Sequence, residues 1–283
     1  MYKLAAGIYA ETGFKGANVG AVVSTDGILC VDTPTSPADS RKWRLKLAQL
    51  GGQPIRFVIN TDHHRDRVLG NQWFEAPVIA HEATGARLRA YPEVYKPDLD
   101  GMGNDLELAD DLGGIRIVVP QLTFRERLTL VRGKREIHLL HKPGSTPGAI
   151  WVHFPEDEIV FTGDAVVVNT APFLAEADIE AWLEHLAELR KPKFPAQVIV
   201  PGRGPRTDKE GVKATIGFLR AVRRKVERLA SRRGAASAGT AGIVAELIGH
   251  LSISESERAH VSRRIKHGLD HLVEIARGES GAG

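Results

Sequence analysis

The chain has 283 residues, of which 42% are hydrophobic and 26% are charged. This composition is typical of a globular protein and excludes a chain that is disordered over most of its length. The formal net charge of +3 is too small to indicate binding to nucleic acid or a membrane without a local concentration of charge. No apolar run approaches the ~20 residues that cross a bilayer, and residues 1–10 are too polar for a secretory signal. We therefore expect a cytoplasmic protein that does not bind membranes.

The first part of the chain predicts strands that alternate with helices. Asp26 and Gly27 separate two runs rich in β-branched residues, a pattern that predicts a β-hairpin over residues 20–32. Cys30 lies in the second of these runs, so we expect a buried structural thiol. The following patterns predict a helix over 38–51, a strand over 55–60, a strand over 78–80 and a helix over 81–91.

The second part of the chain begins with a loop and continues with more strands. Residues 98–111 contain six acidic residues but lack the ligand spacing of a calcium loop, so we interpret them as an exposed loop. Five strand-like runs follow between residues 115 and 168. Later patterns predict a helix over 179–190, a strand over 198–200 and a basic helix over 208–233.

The last fifty residues have a different character. Small residues predominate in 233–242, which predicts a flexible linker between a domain of residues 1–232 and a small helical module of residues 243–283. One helical face of that module is apolar and is formed by Val261, Ile265, Leu269, Leu272 and Val273. This face could pack on its own domain or on a second copy of the chain, so a homodimer through the C-terminal helices is one expectation.

Residues 60–71 (NTDHHRDRVLGN) resemble the metal-binding turn of the metallo-β-lactamase superfamily, whose usual form is T-H-x-H-x-D-H. Further family landmarks follow in the family's order, namely VDT at 31–33, GSTPG at 144–148, FTGD at 161–164 and PGRGP at 201–205. The resemblance implies an α/β (α+β) fold, a four-layer αββα sandwich followed here by the helical module. It places the active site at one edge, between the two sheets.

The family's metal ligands are largely replaced in this sequence. The resemblance places the first metal at Asp62, His64 and Ser145, and the second at Asp66, Arg67 and Arg203, with Asp164 as the bridging ligand. An arginine cannot bind a metal because its guanidinium stays protonated and offers no lone pair. We therefore do not expect a dinuclear zinc site. One divalent ion held by Asp62, His64 and Asp164 is admissible, and zinc, manganese and iron would suit this oxygen-rich set equally.

Two functions are compatible with these residues. The first is a divergent hydrolase that uses at most one metal on an ester, thioester or phosphodiester. Asp66 would orient or deprotonate a water, Arg67 or Arg203 would stabilise an oxyanion or bind an acidic substrate group, and Ser145 would contact the substrate. The alternative is an inactive relative, in which the carboxylates only pair with the arginines. Its altered cleft would bind an anionic ligand, nucleic acid or a protein partner.

A second basic region could contact phosphates. Residues 219–233 contain seven lysines or arginines and one glutamate. Nucleic acid is therefore a further candidate partner through Arg220–Arg233, although such runs are more often solvated helix faces and no aromatic residue is available here for stacking on bases. A small-molecule substrate or anionic ligand remains the first expectation for the cleft.

Overall fold

The computed structural model describes residues 1–95, 114–231, 240–249, 251, 253 and 255–278. The predicted acidic loop at 98–111 and most of the predicted linker at 233–242 lie outside these residues. Within them the chain forms two β-sheets with helices on both outer faces.

The first sheet has seven strands in the order of the chain. They are β1 (Tyr2–Ala5), β2 (Ile8–Glu11), β3 (Val19–Ser24), β4 (Gly27–Val31), β5 (Ile55–Ile59), β6 (Val78–His81) and β7 (Leu122–Phe124). Strands β1 to β4 are antiparallel and β4 to β7 are parallel. The hairpin predicted around Asp26 and Gly27 is confirmed as β3–β4, where Ser24 pairs with Gly27 and Gly27 takes the positive φ of 117° that the turn requires.

The second sheet has five strands. They are β8 (Arg127–Arg132), β9 (Arg135–His141), β10 (Ile150–Phe154), β11 (Ile159–Phe161) and β12 (Val198–Val200). The order in the sheet is β12-β11-β10-β9-β8, and only β11 and β12 are parallel to one another. Parallel neighbours need a long crossover, which here contains the helix that follows β11.

The helices are α1 (Pro37–Ala48), α2 (Arg65–Val68), α3 (Glu82–Arg89), α4 (Ile179–Leu189), α5 (Val212–Ala230), α6 (Thr240–Gly249) and α7 (Glu255–Arg277). Helix α1 begins after Ser36, whose side chain accepts a hydrogen bond from the Asp39 N–H at 3.1 Å. Helix α5 begins at Val212 rather than at the predicted residue 208, because the Asp208 carboxylate accepts hydrogen bonds from the N–H groups of Glu210 and Gly211 and forms a turn.

The burial pattern of the strands explains the four layers. Successive side chains of a strand point to opposite faces, so a strand buried on both faces is apolar throughout. In β10, Ile150 and Val152 belong to the core between the two sheets, whereas Trp151 belongs to the core under α4 and α5. In β4, Leu29 faces the inter-sheet core and Cys30 faces α1. The αββα sandwich predicted from the resemblance is confirmed.

Cys30 is fully buried, and burial raises the pKa of its thiol far above the ordinary value. A thiol in this state is a small apolar core residue. None of the helices in the described part of the chain is both long and apolar enough to cross a membrane.

Helices α6 and α7 share the core beneath the second sheet. The apolar face predicted in the tail, from Val261 to Val273, is buried together with side chains of α5 such as Val222 and Val226. The face therefore packs on the chain's own core, and a homodimer through the C-terminal helices would need another of their surfaces. The domain boundary and the homodimer stay predictions.

Candidate active site

The site lies where parallel strands end. Asp32 follows β4, Asp62 follows β5, Asp164 follows β11 and Arg203 follows β12. Parallel strands bring their carboxyl ends to one edge of a sheet, and the two parallel pairs β4–β5 and β11–β12 meet at this edge of the sandwich. The residues predicted from the motifs therefore converge, although they are separated by up to 171 positions along the chain.

Arg67 occupies the centre of the site. Its side chain is 0% exposed. Its Nη2 lies 2.6 Å from Asp164 Oδ1, and its Nε lies 3.2 Å from Asp62 Oδ1. Its Nη1 donates to Thr61 Oγ1 at 2.9 Å and lies 3.6 Å from Asp32 Oδ2. One guanidinium thus stands between the carboxylates at positions 62 and 164, two positions whose side chains bind metal in the family pattern.

Arg203 forms the second cation of the site. Its Nη1 pairs with Asp66 Oδ2, and its Nη2 pairs with Asp164 Oδ2 at 3.0 Å. Its Nε donates to the same Asp164 oxygen at 3.3 Å. Both oxygens of Asp164 therefore contact guanidinium groups, Oδ1 with Arg67 and Oδ2 with Arg203. Gly202 makes this packing feasible, because a Cβ at that position would collide with Asp164.

Asp32 holds the segment that begins the metal-binding turn through hydrogen bonds to Thr61. It takes a left-handed φ of 56°, which is costly for a residue other than glycine and marks a constrained position. Its Oδ1 accepts from the Thr61 N–H at 2.8 Å and its Oδ2 accepts from the Thr61 hydroxyl at 2.6 Å. Burial raises the pKa of Asp32 to about 7, and the nearby Arg67 only partly offsets that effect. The Val31–Thr33 motif thus positions the metal-turn segment.

The arginines determine the charge state of the other carboxylates. Burial favours the neutral acid, but Arg67 together with His64 and His63 outweighs burial at Asp62 and holds that pKa well below its ordinary value. Arg203 and Arg67 do the same at Asp164, and they lower the pKa of Asp66 to about 2. These three carboxylates are therefore ionised at neutral pH.

His64 is held against Asp62. Its ring Nδ1 lies 3.1 Å from Asp62 Oδ1, and the backbone N–H of His64 donates to the same oxygen at 2.8 Å. Burial favours the neutral imidazole, but the Asp62 carboxylate outweighs burial and raises the pKa of His64. The His64 ring stacks on Phe173 with centroids 4.5 Å apart.

Asp62, His64 and Asp164 could together hold one metal ion. Each offers a ligand atom, and these atoms all lie within 4.8 Å of one another. Asp62 Oδ2 is buried and has no hydrogen-bond partner, as expected of an oxygen left available to a cation. The donor set therefore fits a single divalent ion. It does not fit a pair of ions, because Arg67 and Arg203 occupy the remaining ligand positions of the family pattern.

The structure places the other predicted residues as follows. Asp66 keeps 18% of its side chain exposed, so it is the carboxylate of the cluster most open to the cleft. Ser145 lies in the loop between β9 and β10, where its hydroxyl is buried without a hydrogen-bond partner. Arg67 has no solvent-exposed surface. The catalytic and substrate-binding roles of these residues stay predictions, and for Arg67 the geometry favours a role in holding carboxylates.

Sequence reasoning missed several residues around the site. Phe173 and Arg264 carry no motif, and only the folded chain brings them to His64 and Arg203. His63 lies inside the turn motif, and its Nε2 lies 3.2 Å from Glu176 Oε1. Asp32 lies in the VDT landmark, so Asp32 and His63 had a signal in the sequence, whereas Phe173 and Arg264 had none.

Comparison with known proteins agrees with this geometry. The family model described as the metallo-beta-lactamase superfamily matches residues 12–203. A linear primary-alkylsulfatase from Pseudomonas sp. (strain ATCC 19151) is 22% identical over 232 residues, which cover 70% of this chain and 44% of the sulfatase. A hydroxyacylglutathione hydrolase from Cereibacter sphaeroides is 31% identical over 148 residues, 51% of this chain and 47% of the hydrolase. The chain thus spans less than half the length of either relative.

A solved structure extends the likeness to the C-terminal helices. The crystal structure of a metallo-beta-lactamase family protein from Thermus thermophilus matches 99% of this chain and 96% of its own chain, with a TM-score of 0.69 and 19% identity. At this level of identity the likeness shows the fold alone.

Proposed function

Because the chain belongs to the metallo-β-lactamase superfamily, we propose that it is a divergent hydrolase that acts with at most one divalent metal ion on an ester, thioester or phosphodiester. The similarity to an alkylsulfatase and to a hydroxyacylglutathione hydrolase supports hydrolysis as the reaction class. The altered ligand set, rather than the fold, defines this proposal.

The convergence of Asp62, His64 and Asp164 carries the proposal. A purely structural network would pair every buried carboxylate oxygen, but Asp62 Oδ2 is left without a partner beside the two other donors. These three residues would hold the ion, and zinc, manganese and iron are equally suited to one nitrogen and two oxygens. When bound, such an ion supplies Lewis-acid chemistry that polarises the bond to be cleaved.

Asp66, Arg203 and Arg67 would each have a different role in the reaction. Asp66 is ionised and partly exposed, so it accepts a hydrogen bond from the attacking water and orients it; with a pKa near 2 it is a weak base. Arg203 lies next to Asp66 with 10% of its side chain exposed, and it stabilises negative charge that develops on the substrate. Arg67 is a positioning residue, because it fixes Asp62 and Asp164 without reaching the cleft.

Metal content and hydrolysis test this proposal together. Protein purified without chelators is analysed by inductively coupled plasma mass spectrometry and assayed on carboxylic ester, thioester, phosphodiester, alkyl sulfate and β-lactam substrates. We expect close to one divalent ion per chain in the wild type, its loss in Asp62→Asn, and its retention in Asp178→Asn, which alters an exposed carboxylate that caps α4. Two ions per chain, or an ion that survives Asp62→Asn, would contradict the proposal.

The inactive relative is the second candidate, and a separate observation favours it. Arg67 and Arg203 supply two positive charges against the three carboxylates of Asp62, Asp66 and Asp164, so most of the negative charge of the cluster is balanced without a metal ion. If neither metal nor hydrolysis is found, the cleft is a binding site for an anionic ligand or partner.

A cytoplasmic location and nucleic-acid binding through Arg220–Arg233 stay predictions. Part of that basic surface is paired within the chain, as Arg223 with Glu180 and Lys225 with Glu246.

A further inference from the structure

Arg264 of helix α7 is a buried cation next to the site. It lies one helical turn from Val261 and from Gly268, and only 6% of its surface is exposed. Helix α7 approaches the site closely because Gly268 has no side chain; a Cβ there would lie 2.5 Å from Leu174 Cβ. The segment that contains Leu174 is the loop between the Gly163–Ala165 turn and α4, which borders the cleft.

The Phe173 ring connects Arg264 with the site. The guanidinium carbon of Arg264 lies 4.5 Å from the ring centroid, and that of Arg203 lies 4.8 Å from the same centroid. His64 stacks on the ring at 4.5 Å. Two cations thus share one aromatic ring with a candidate metal ligand. His64 and Phe173 are half-buried, so the ring can be reached from the cleft.

Arg264 has no direct ion pair among the described residues, and the carboxylates of Asp164, Asp66 and Glu257 act on its charge only from a greater distance. Its Nη2 donates to the Ala171 carbonyl and, at 3.2 Å, to the Thr170 hydroxyl, and both acceptors are neutral. Its Nε is buried without a hydrogen-bond partner. No carboxylate in the described part of the chain forms an ion pair with it, whereas Arg203 pairs with Asp66 and Asp164.

This arrangement is unfavourable without a further anion. Burial, together with the positive charge of Arg203, lowers the pKa of Arg264 to about 10, although Asp164, Asp66 and Glu257 act in the opposite direction. The guanidinium therefore stays charged at neutral pH without a directly bound counter-ion. Buried cations are normally paired, and an unpaired one costs free energy. An incoming anion would remove that cost and satisfy Nε.

We propose that Arg264, held on Phe173 beside Arg203, binds an anionic group of the ligand that enters the cleft, a carboxylate, sulfate or phosphate. This inference extends the proposed function by naming a property of the substrate, its negative charge. It rests on the proposed function only where it identifies the ligand of this cleft with the substrate. The C-terminal helix thereby contributes a specificity residue to a site whose other members come from the sandwich.

Binding of simple anions to the full chain tests the subsite directly. Inorganic phosphate, sulfate and acetate are titrated by calorimetry at low ionic strength into wild type, Arg264→Gln and Arg263→Gln. Arg263 is the neighbouring residue on α7 and is exposed, so it is the matched control for loss of one positive charge. We expect at least one anion to bind wild type and Arg263→Gln with equal affinity, and Arg264→Gln to bind it at least ~10-fold more weakly, as for loss of a charge-assisted hydrogen bond.

Two further variants keep the test decisive. Asp62→Asn removes a metal ligand that does not contact Phe173; anion binding that survives it does not depend on a metal. If Arg264→Gln does not fold, Arg264→Lys retains the charge but lacks Nε, and we expect weaker binding from it as well. The subsite is refuted if wild type binds none of the three anions, or if Arg264→Gln binds them as well as wild type does.

The two proposals can fail separately. Anion binding at Arg264 without metal or hydrolysis would refute the hydrolase and leave the subsite in place. Metal-dependent hydrolysis with unchanged anion affinity in Arg264→Gln would refute only the subsite. Where an anionic substrate is found, Arg264→Gln should raise KM for it with little change in kcat, and should not alter KM for a neutral analogue.

Discussion

Arg67 and Arg264 are two buried guanidinium groups of one cleft, but their surroundings differ. Arg67 lies among the carboxylates of Asp62 and Asp164, with Asp32 slightly farther away. Arg264 donates to neutral oxygens and keeps one donor without a partner. A buried charge needs a counter-charge. Arg67 pairs with carboxylates of its own chain, whereas Arg264 leaves room for an anionic ligand.

The largest effect should come from Arg67→Met. Removing Arg67 leaves Asp62 and Asp164 buried with less compensation, and breaking a buried ion pair in this way typically costs about 3–5 kcal/mol. We expect a loss of this size in the free energy of unfolding, measured by urea denaturation. Arg41→Met, at an exposed position on α1, should change it by less than ~0.5 kcal/mol. Equal effects of the two variants would show that the carboxylates do not depend on Arg67.

The next largest effect on stability should come from a substitution at Gly268 of helix α7. Gly268→Ala should lower the free energy of unfolding by about 1–3 kcal/mol, because the new Cβ overlaps Leu174 and pushes α7 from the loop that carries Phe173. It should also weaken anion binding, since Arg264 moves with α7. Gly217→Ala on α5 meets no atom within 4 Å and should stabilise the protein by up to ~1 kcal/mol, as expected from helix propensity. The same sign for both substitutions would contradict the close packing of α7.

His81 shows a third way to bury a basic group, which is to keep it neutral. It stacks on His141 with centroids 3.7 Å apart, and its Nε2 donates to the Arg125 carbonyl at 2.7 Å. Burial and His141 lower its pKa below the ordinary 6.5, although Glu82 acts in the opposite direction. At this residue the unfolded state therefore binds more protons than the folded state as the pH falls below about 6.5, so the contribution of His81 to stability decreases over that window.

Replacing the imidazole tests this pH dependence. His81→Asn keeps a residue type that caps the N-terminus of α3 but cannot be protonated. We expect the free energy of unfolding of this variant to fall less between pH 7 and pH 5 than that of wild type. His267→Asn, at an exposed position on α7, should leave the profile unchanged. A profile of His81→Asn that runs parallel to that of wild type over this range would contradict the shift at His81.

The smallest effect on stability should come from Arg264→Met. An unpaired buried cation contributes little, and its replacement by an apolar side chain of similar length is often neutral or stabilising. In buffer without phosphate, sulfate or carboxylate we expect a change of less than ~1 kcal/mol. Added phosphate should then stabilise wild type and not this variant, because ligands stabilise the state that binds them. A loss comparable to that of Arg67→Met would show that Arg264 is balanced within the chain.

Much of the fold and the core of the site could be predicted from the sequence. The turn signals at Asp26 and Gly27 are local, so the hairpin follows from them, whereas the sandwich is implied by the family resemblance of the motifs. Asp62, His64, Asp164 and Arg203 were found together because the motifs that contain them keep a known order. Phe173 and Arg264 could not be found, because neither lies in such a motif.

The sequence by itself determined the layered fold, the loss of two family ligands to Arg67 and Arg203, and hence a site that does not fit two metal ions, since residue chemistry alone excludes arginine as a ligand. Only the tertiary structure decided how the charges are paired, because pairing depends on distances of a few ångströms between residues far apart in the chain. Arg264 and the Thr170 hydroxyl are 94 positions apart. Their contact, and with it the cation without a direct ion pair beside Phe173, exists only because α7 packs on the sandwich.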